Sequence, residues 1–352
     1  MTVSNQPNHQ VVSKANYQNF VISDVLAQID RECEKFCPVP RFPPQKVTVI
    51  GAGSDVGYIT SLFLKQQKII KILALYDEPN RRVLGVANDL AHIDTSPEDA
   101  DVVVICGGHY ILPPCCNLPD RDLFFQNLQQ VRTASIACAQ FCPQAIIAIQ
   151  TPPVDCNYAL CANTLKLSKV YDKRKVLGVN SINSMRANQL FCSITGSDPS
   201  SSQIPVTQVD CLTRLVREAD EIICKAKSNN EQGYLSIGFS TARFVVNIMK
   251  GLFEKPTFID SALVEQAHPD KCYNMTVCAT PVTIGKSGVV EYAVPNLNEA
   301  ETILLEDSKC DLEDMLNLGR CHAVGDEYCI HPAKICPCCV YQPCKVCKPC
   351  RR

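Results

Sequence analysis

Tryptophan is absent from the 352 residues, and long apolar runs are absent with it. The first absence carries no functional information. The second excludes a membrane-spanning helix, which needs roughly 18 to 20 consecutive apolar residues. A surplus of either charge is also missing: 34 basic and 36 acidic side chains leave a net charge of −2. Such a balance gives no electrostatic footprint for nucleic acid or an anionic membrane, so the expected partner is a small molecule or another protein. The N-terminus has no compact apolar stretch behind positive charges, which argues against secretion. Its first 22 residues hold no acid and one Lys, Lys14, yet lack the Arg-rich amphipathic character of a mitochondrial transit peptide. The compartment stays open between mitochondrion and cytoplasm.

Cysteine is present in excess, with 23 residues. Without a secretion signal this is an unusual combination, because cytosolic thiols are normally kept reduced and dense disulfides belong outside the cell. At this length the chain is expected to hold two domains plus its ends.

Residues 1–45 are polar and then proline-rich, which reads as an extension with one short helix, Val21 to Phe36. "KVTVIGAG", "KILALYDEP", "DADVVVICGG" and "QAIIAIQTPP" read as strands, separated by helical patterns in "YITSLFLKQQ", "RRVLGVANDLAHI" and "LFFQNLQQVRTASIACAQFC". Apolar strands alternating with helices predict a parallel sheet covered on both faces. After "KVLGVNS" come two amphipathic helices, "TRLVREADEIICKAKS" and "STARFVVNIMKGLF", then "CYNMTVCATPVTIGKSGVVEYAV", which alternates like antiparallel strands. The expected architecture is α/β: a Rossmann-type doubly wound sheet over 46–180, an α+β domain over 181–330, and a tail over 331–352.

In "VIGAGSDVGYITS", Gly51, Gly53 and Gly57 stand where a dinucleotide turn needs small residues: for the bend, for approach of backbone to pyrophosphate, and for helix packing. Asp77 ends the next strand, where an acid can hydrogen-bond the ribose hydroxyls of NAD. A turn kept for the fold alone is the other reading. Asp55, at the start of the following helix, weighs toward it, because its carboxylate can cap the helix and repel a pyrophosphate.

With these residues in place the chain resembles the lactate/malate dehydrogenase family, most closely its mitochondrial-type malate dehydrogenases. The resemblance runs from Lys46 to about Asn296, through "KVTVIGAGSDVG", "LALYDEPNRRVLGVANDLAHID", "DVVVICGG", "DLFFQN", "ACAQFCPQA", "KVYDKRKVLGVNSINSMRAN" and "KAKSNNEQGYLSIGFSTARFV". It implies a nucleotide domain followed by an α/β substrate domain, a homo-oligomer, NAD as cofactor, and malate oxidised to oxaloacetate.

The chemistry implied by the resemblance needs a His as general acid/base, an Asp holding its tautomer, arginines on the substrate carboxylates, and an Asn near the reacting centre. Asp210 stands at the position of the His. Asn183 replaces the Asp, and an amide cannot stabilise imidazolium by charge; the analogous change in a serine protease costs about ten-thousand-fold in rate. Thr151 replaces the Asn, and Asp155 stands where a later Asn is expected. One loop arginine has no counterpart in "GGHYILPPCCNLPDRDLFF", and Arg121 is one place from the other, which on a helix turns a side chain by about 100°. No His lies between His109 and His268 to take over the proton transfer. His109 reads as a surface or packing residue. Arg186 is retained as a remnant of substrate binding, with Gly51, Gly53, Gly57, Asp77 and Asn127 on the cofactor side and Ser236 at a helix start. "AHIDTSPEDADVVVI" leaves no room for the family's edge strand.

Cys138 and Cys142 read as a packed helix face, and Cys115–Cys116 as an exposed, oxidisable pair. The tail carries Cys336, Cys338, Cys339, Cys344, Cys347 and Cys350, with two successive Cys-x-x-Cys spacings. Three readings stand: disulfide cross-links to protein partners, which lead; zinc in thiolate sites; and a passive tail. Tails of this kind resemble those of cysteine-rich sperm-tail proteins. The expectation is a malate dehydrogenase-like pseudoenzyme with a structural or cross-linked role. The alternatives are an active NAD-dependent malate dehydrogenase and an NAD-binding sensor without turnover.

Overall fold

The computed structural model describes residues 45–77, 82, 85–86, 100–109, 120–198, 210–227 and 233–323. All fall in one compact unit that starts at Pro44. The expected helix at 21–36, most of the helix after the second strand, the Cys115–Cys116 loop and the cysteine-rich tail lie outside the described residues.

Among the described residues eight strands make one sheet. Strand β1 (Lys46–Ile50) leads through a glycine turn into helix α1 (Asp55–Lys65), followed by β2 (Ile72–Tyr76) and β3 (Val102–Ile105). Then come α2 (Asp120–Phe141), β4 (Ile146–Ile149), α3 (Val154–Leu167), β5 (Val176–Val179) and α4 (Ser181–Thr195). The remainder is α5 (Asp210–Arg217), α6 (Ala219–Ala226), α7 (Tyr234–Phe253), β6 (Thr257–Glu265), β7 (Val277–Gly285), β8 (Gly288–Tyr292) and α8 (Glu299–His322). The strand order is β2-β1-β3-β4-β5-β6-β7-β8, parallel through β5 and antiparallel from β6 onward. Among the described residues β2 is the edge on its side; residues 87–99, in the shortened connection read from the sequence, lie outside them.

The apolar strands follow from two covered faces. In β3 every residue is buried, and alternate side chains serve opposite layers. Val102 and Val104 pack with Phe244, Val245 and Met249 of α7 on one face, whereas Val103 and Ile105 pack with Phe124 of α2, Tyr158 of α3 and Leu316 of α8 on the other. Helices approach closely where a glycine lets them: a Cβ on Gly238 of α7 would lie 2.5 Å from the side chain of Ile59 on α1.

The structure changes several expectations in the second half. The stretch expected as one helix from Thr213 is two, α5 and α6, interrupted at Glu218, a turn residue with ψ of 0° and no glycine or proline to mark it. The alternation expected from Cys272 becomes strand only at Val277. Before it stand a 3-10 turn, Pro269–Lys271, and two left-handed residues, Tyr273 and Asn274. Strand β6 and helix α8 were not anticipated. The latter carries a readable signal, a capping box in which Asn298 and Glu301 satisfy each other's backbone N–H.

Candidate dinucleotide and substrate cleft

In an open parallel sheet, ligands sit beyond the carboxyl ends of the strands, where the strand order reverses. Here that point lies between β1 and β3. Gly51 has φ +84°, and a Cβ on it would lie 2.0 Å from the Cα of Gly107, so the turns after β1 and β3 meet backbone to backbone. A Cβ on Gly57 would lie 2.0 Å from the carbonyl oxygen of Gly51. These contacts give the glycine pattern a packing reason that holds with or without a ligand.

Asp77 follows β2 and accepts a hydrogen bond from Gly53 N at 2.7 Å, so its carboxylate is already oriented toward the turn. Helix α1 is capped by Ser54, whose hydroxyl accepts from Gly57 N at 3.0 Å and lies 2.7 Å from Gly51 O and 2.9 Å from Cys106 O. The capping role expected of Asp55 therefore belongs to Ser54, because Ser54 has the extended backbone of an N-cap while Asp55 is already helical. Asp55 instead pairs with Arg82 at 2.7 Å, and that guanidinium also lies over the Tyr58 ring. The charge at this helix end is an ion pair, which reduces the repulsion expected for a pyrophosphate. The tight glycine turn, the oriented Asp77 and the ion-paired helix start fit the adenosine and pyrophosphate half of NAD.

The other half of the cleft is organised differently. Asn127 of α2 is fully buried, with its carboxamide spent inside the protein: Oδ1 accepts from His109 N, and Nδ2 reaches His109 O and Pro152 O, each at 2.7 Å. It ties the turn after β3 to the cis Pro152–Pro153 turn after β4. Thr151 is buried beside it, and its hydroxyl donates to Gly107 O at 2.5 Å. His109 is exposed, in keeping with a surface residue.

Asp155, in the first turn of α3, has its carboxyl pKa raised by burial, lowered in part by the bond from Cys156 N, and raised again by the Asp120 carboxylate on α2. Two acids thus share the space next to the β4 turn. Arg121, beside Asp120, is exposed and lies 5.9 Å from the Phe125 ring centroid.

On α4, Asn183 is exposed and Arg186 follows one turn later. Arg186 is the residue expected to bind a substrate carboxylate, and here a carboxylate of the same chain already holds it. Nη1 donates to Asp220 Oδ2 at 3.0 Å and Nη2 to Asp220 Oδ1 at 2.5 Å, a two-pronged pairing between α4 and α6. The arginine side chain is 10% exposed and the aspartate 40%, so the pair is buried at its arginine end. Arg186 Nε is buried and has no hydrogen-bond partner. Ser236 donates to Gly233 O at the start of α7. Asp210 is the first residue of α5.

Sequence reasoning missed Asp220, Arg82, Ser54 and the role of Asp120. Only Ser54 and Asp120 had a local signal, as polar residues at helix starts. No group of three or more His, Cys, Asp or Glu side chains among the described residues is placed to hold a metal.

Comparison with known proteins gives a consistent answer. Residues 45–178 match the family model described as lactate/malate dehydrogenase, NAD binding domain, and residues 184–321 match lactate/malate dehydrogenase, alpha/beta C-terminal domain. Mitochondrial malate dehydrogenase of Felis catus is 30% identical over 315 residues, covering 78% of this chain and 90% of the relative. That of Rattus norvegicus is 31% identical over 283 residues, covering 69% and 81%. Among solved structures, apo malate dehydrogenase from Picrophilus torridus superposes with a TM-score of 0.66 at 16% identity, covering 78% of this chain and 97% of that one.

Proposed function

Since the chain belongs to the lactate/malate dehydrogenase family, we propose that it keeps the family fold without the family's hydride transfer, and works as a structural or cross-linked component. The observation that carries this reading is Arg186 held by Asp220. A substrate carboxylate would have to displace a carboxylate tethered in place, whose effective concentration is of millimolar order or above. The remaining defects act in the same direction: Asp210 and Asn183 replace the proton-transfer pair, and the Thr151 hydroxyl is bound to backbone. The test is NAD-dependent oxidation of malate by the purified protein. No rate above the buffer blank is expected, and turnover that disappears in Arg186→Gln would restore the alternative, an active malate dehydrogenase.

A second reading, dinucleotide binding without turnover, is favoured by the Gly53–Asp77 hydrogen bond, which holds the carboxylate at the glycine turn without help from a ligand. NAD would supply hydride chemistry when bound. Gly51, Gly53, Gly57 and Asp77 would hold its adenosine side, and Asn127 would act only through the turns it braces. Titration of NADH fluorescence separates the two readings. Saturable binding lost in Asp77→Ala supports the second, and a flat titration leaves the purely structural one.

The domain division at residue 180 and a homo-oligomer belong to the same proposal. Leu62 of α1 and Leu235 and Phe239 of α7 are exposed, and Phe63 packs edge-on against Phe239. These apolar groups favour a second copy of this chain as the partner. Cross-linking to other proteins through Cys336, Cys338, Cys339, Cys344, Cys347 and Cys350 remains the assigned use of the tail, with zinc binding as its competitor. The relatives are named mitochondrial malate dehydrogenases, which favours the mitochondrion over the cytoplasm; a place in the sperm tail rests on the tail composition alone.

A further inference from the structure

Cys272, on the connection between β6 and β7, and Cys278, the second residue of β7, stand apart from the cleft, and their sulfurs are 3.0 Å apart. That is closer than the roughly 3.5 to 4.0 Å at which non-bonded heavy atoms rest, and about 1 Å longer than a disulfide bond. Both are free thiols, and both are buried, at 1% and 7% exposure. They share a small apolar cluster with Met275, against which Val294, Leu305 and Leu312 pack.

The backbone accounts for the approach. Tyr273 and Asn274 adopt φ of 52° and 57°, which curls the segment back on itself, and Met275 N donates to Cys272 O at 2.9 Å. The curl is braced from outside the sulfur pair. Lys309 of α8 donates to Tyr273 O at 3.0 Å, Tyr273 OH donates to Pro295 O at 2.9 Å, and Gln266 N donates to Thr276 O at 2.9 Å. Gln266 Nε2 lies 3.5 Å from Cys278 Sγ. Two consecutive left-handed residues that are not glycine are an uncommon arrangement. Here they bring the sulfurs of Cys272 and Cys278 to 3.0 Å.

We propose that Cys272 and Cys278 are a modification site: a dithiol that closes to an intrachain disulfide by exchange with a small-molecule disulfide such as oxidised glutathione. One cysteine, as thiolate, attacks a sulfur of the small disulfide. A mixed disulfide forms, the first small thiolate leaves, and it takes up the proton the cysteine lost. The second cysteine, as thiolate, then attacks the protein sulfur of the mixed disulfide and releases the second small thiolate, which is protonated in turn. Two protein thiols are oxidised by two electrons in all, and one small disulfide is reduced to two thiols. Either cysteine can enter first, since both are buried. Burial raises the Cys278 thiol pKa, so exchange proceeds when the turn opens and not on the closed turn. The bond would staple the turn that receives Lys309, and with it the seat of α8.

The inference does not depend on the fate of the cleft. Its test is to equilibrate the folded full-length protein with glutathione at several reduced-to-oxidised ratios. Exchange is then quenched with acid, free thiols are alkylated, and peptides are mapped by mass spectrometry. The expected result is a Cys272–Cys278 linked peptide whose fraction follows the glutathione ratio and is reversed by reduction. Cys278→Ser should leave Cys272 alkylated and free of any protein cross-link. Because the wild-type map is read on folded protein, it stands even if the variant fails to fold. Full alkylation of both cysteines in excess oxidised glutathione, or linkage of either to another cysteine, would overturn the assignment.

Discussion

Replacing Asp220 by Ala leaves Arg186 with its guanidinium nine-tenths covered and no anion facing it. The cost can be bracketed from the geometry. Fully exposed ion pairs contribute about 0 to 1 kcal/mol, whereas breaking a buried pair by removing one partner costs about 3 to 5 kcal/mol. With one end at 10% and the other at 40% exposure, about 2 kcal/mol is expected, or about 3 °C in Tm for a chain of this size. The same vacancy should bind a small carboxylate. Acetate is the suitable probe, because it carries a single carboxylate. At ten times its dissociation constant it would return about 1.4 kcal/mol. Thermal denaturation in acetate, against chloride at equal ionic strength, should therefore stabilise Asp220→Ala and leave the wild type and Asp220→Ala/Arg186→Gln unmoved. Equal stabilisation of wild type and Asp220→Ala, or a loss below about 0.5 kcal/mol, would refute the idea that Asp220 occupies a carboxylate site.

Asp155→Asn should raise Tm at pH 7. Burial, and secondarily Asp120, raise the folded carboxyl pKa above its unfolded value of about 3.9. The folded state therefore holds more protons, and stability falls as pH rises from the unfolded to the folded pKa. The gain from Asn should disappear below about pH 4; a gain that is the same at both pH values would point to packing instead. Gly319→Ala should destabilise by about 1 to 3 kcal/mol in a denaturant titration, since a Cβ there would lie 2.0 Å from the backbone oxygen of Cys156. A neutral result would mean that α8 is free to shift on α3.

The first half of the fold was legible because its code is local. Short β-branched runs, a glycine turn and Asp77 each declare themselves within a few residues. The reading of Asp210 and Asn183 as replacements of a proton-transfer pair rests on the family resemblance alone; the fold places them on α5 and α4. What was not legible is pairing across distance. Asp220 is separated from Arg186 by 34 positions and lies on a different helix, and no periodicity links them. The join between the parallel and antiparallel parts of the sheet was hidden for a related reason. Strand β6 changes register between Ile259 and Ala262, so its alternation is broken in the sequence, and its pairing to β5 rests on Gly178 with Leu263 and Val179 with Ala262. Helix α8 is a different case: its capping box was there to be read.

The uneven grip on α8 has a mechanical meaning. Of its 24 residues, the fully buried ones, Leu316, Leu318 and Cys321, fall near its end, where Gly319 lies on Cys156 and Asn163 holds the carbonyl of Arg320. The helix is anchored closest to the point from which the cysteine-rich segment continues. Traction applied beyond residue 323 would meet those contacts first, loading α3 and the turn at Thr151 before any strand of the sheet. A cross-linked neighbour pulling on this chain would therefore strain the turn at Thr151, which the Thr151 hydroxyl ties to Gly107.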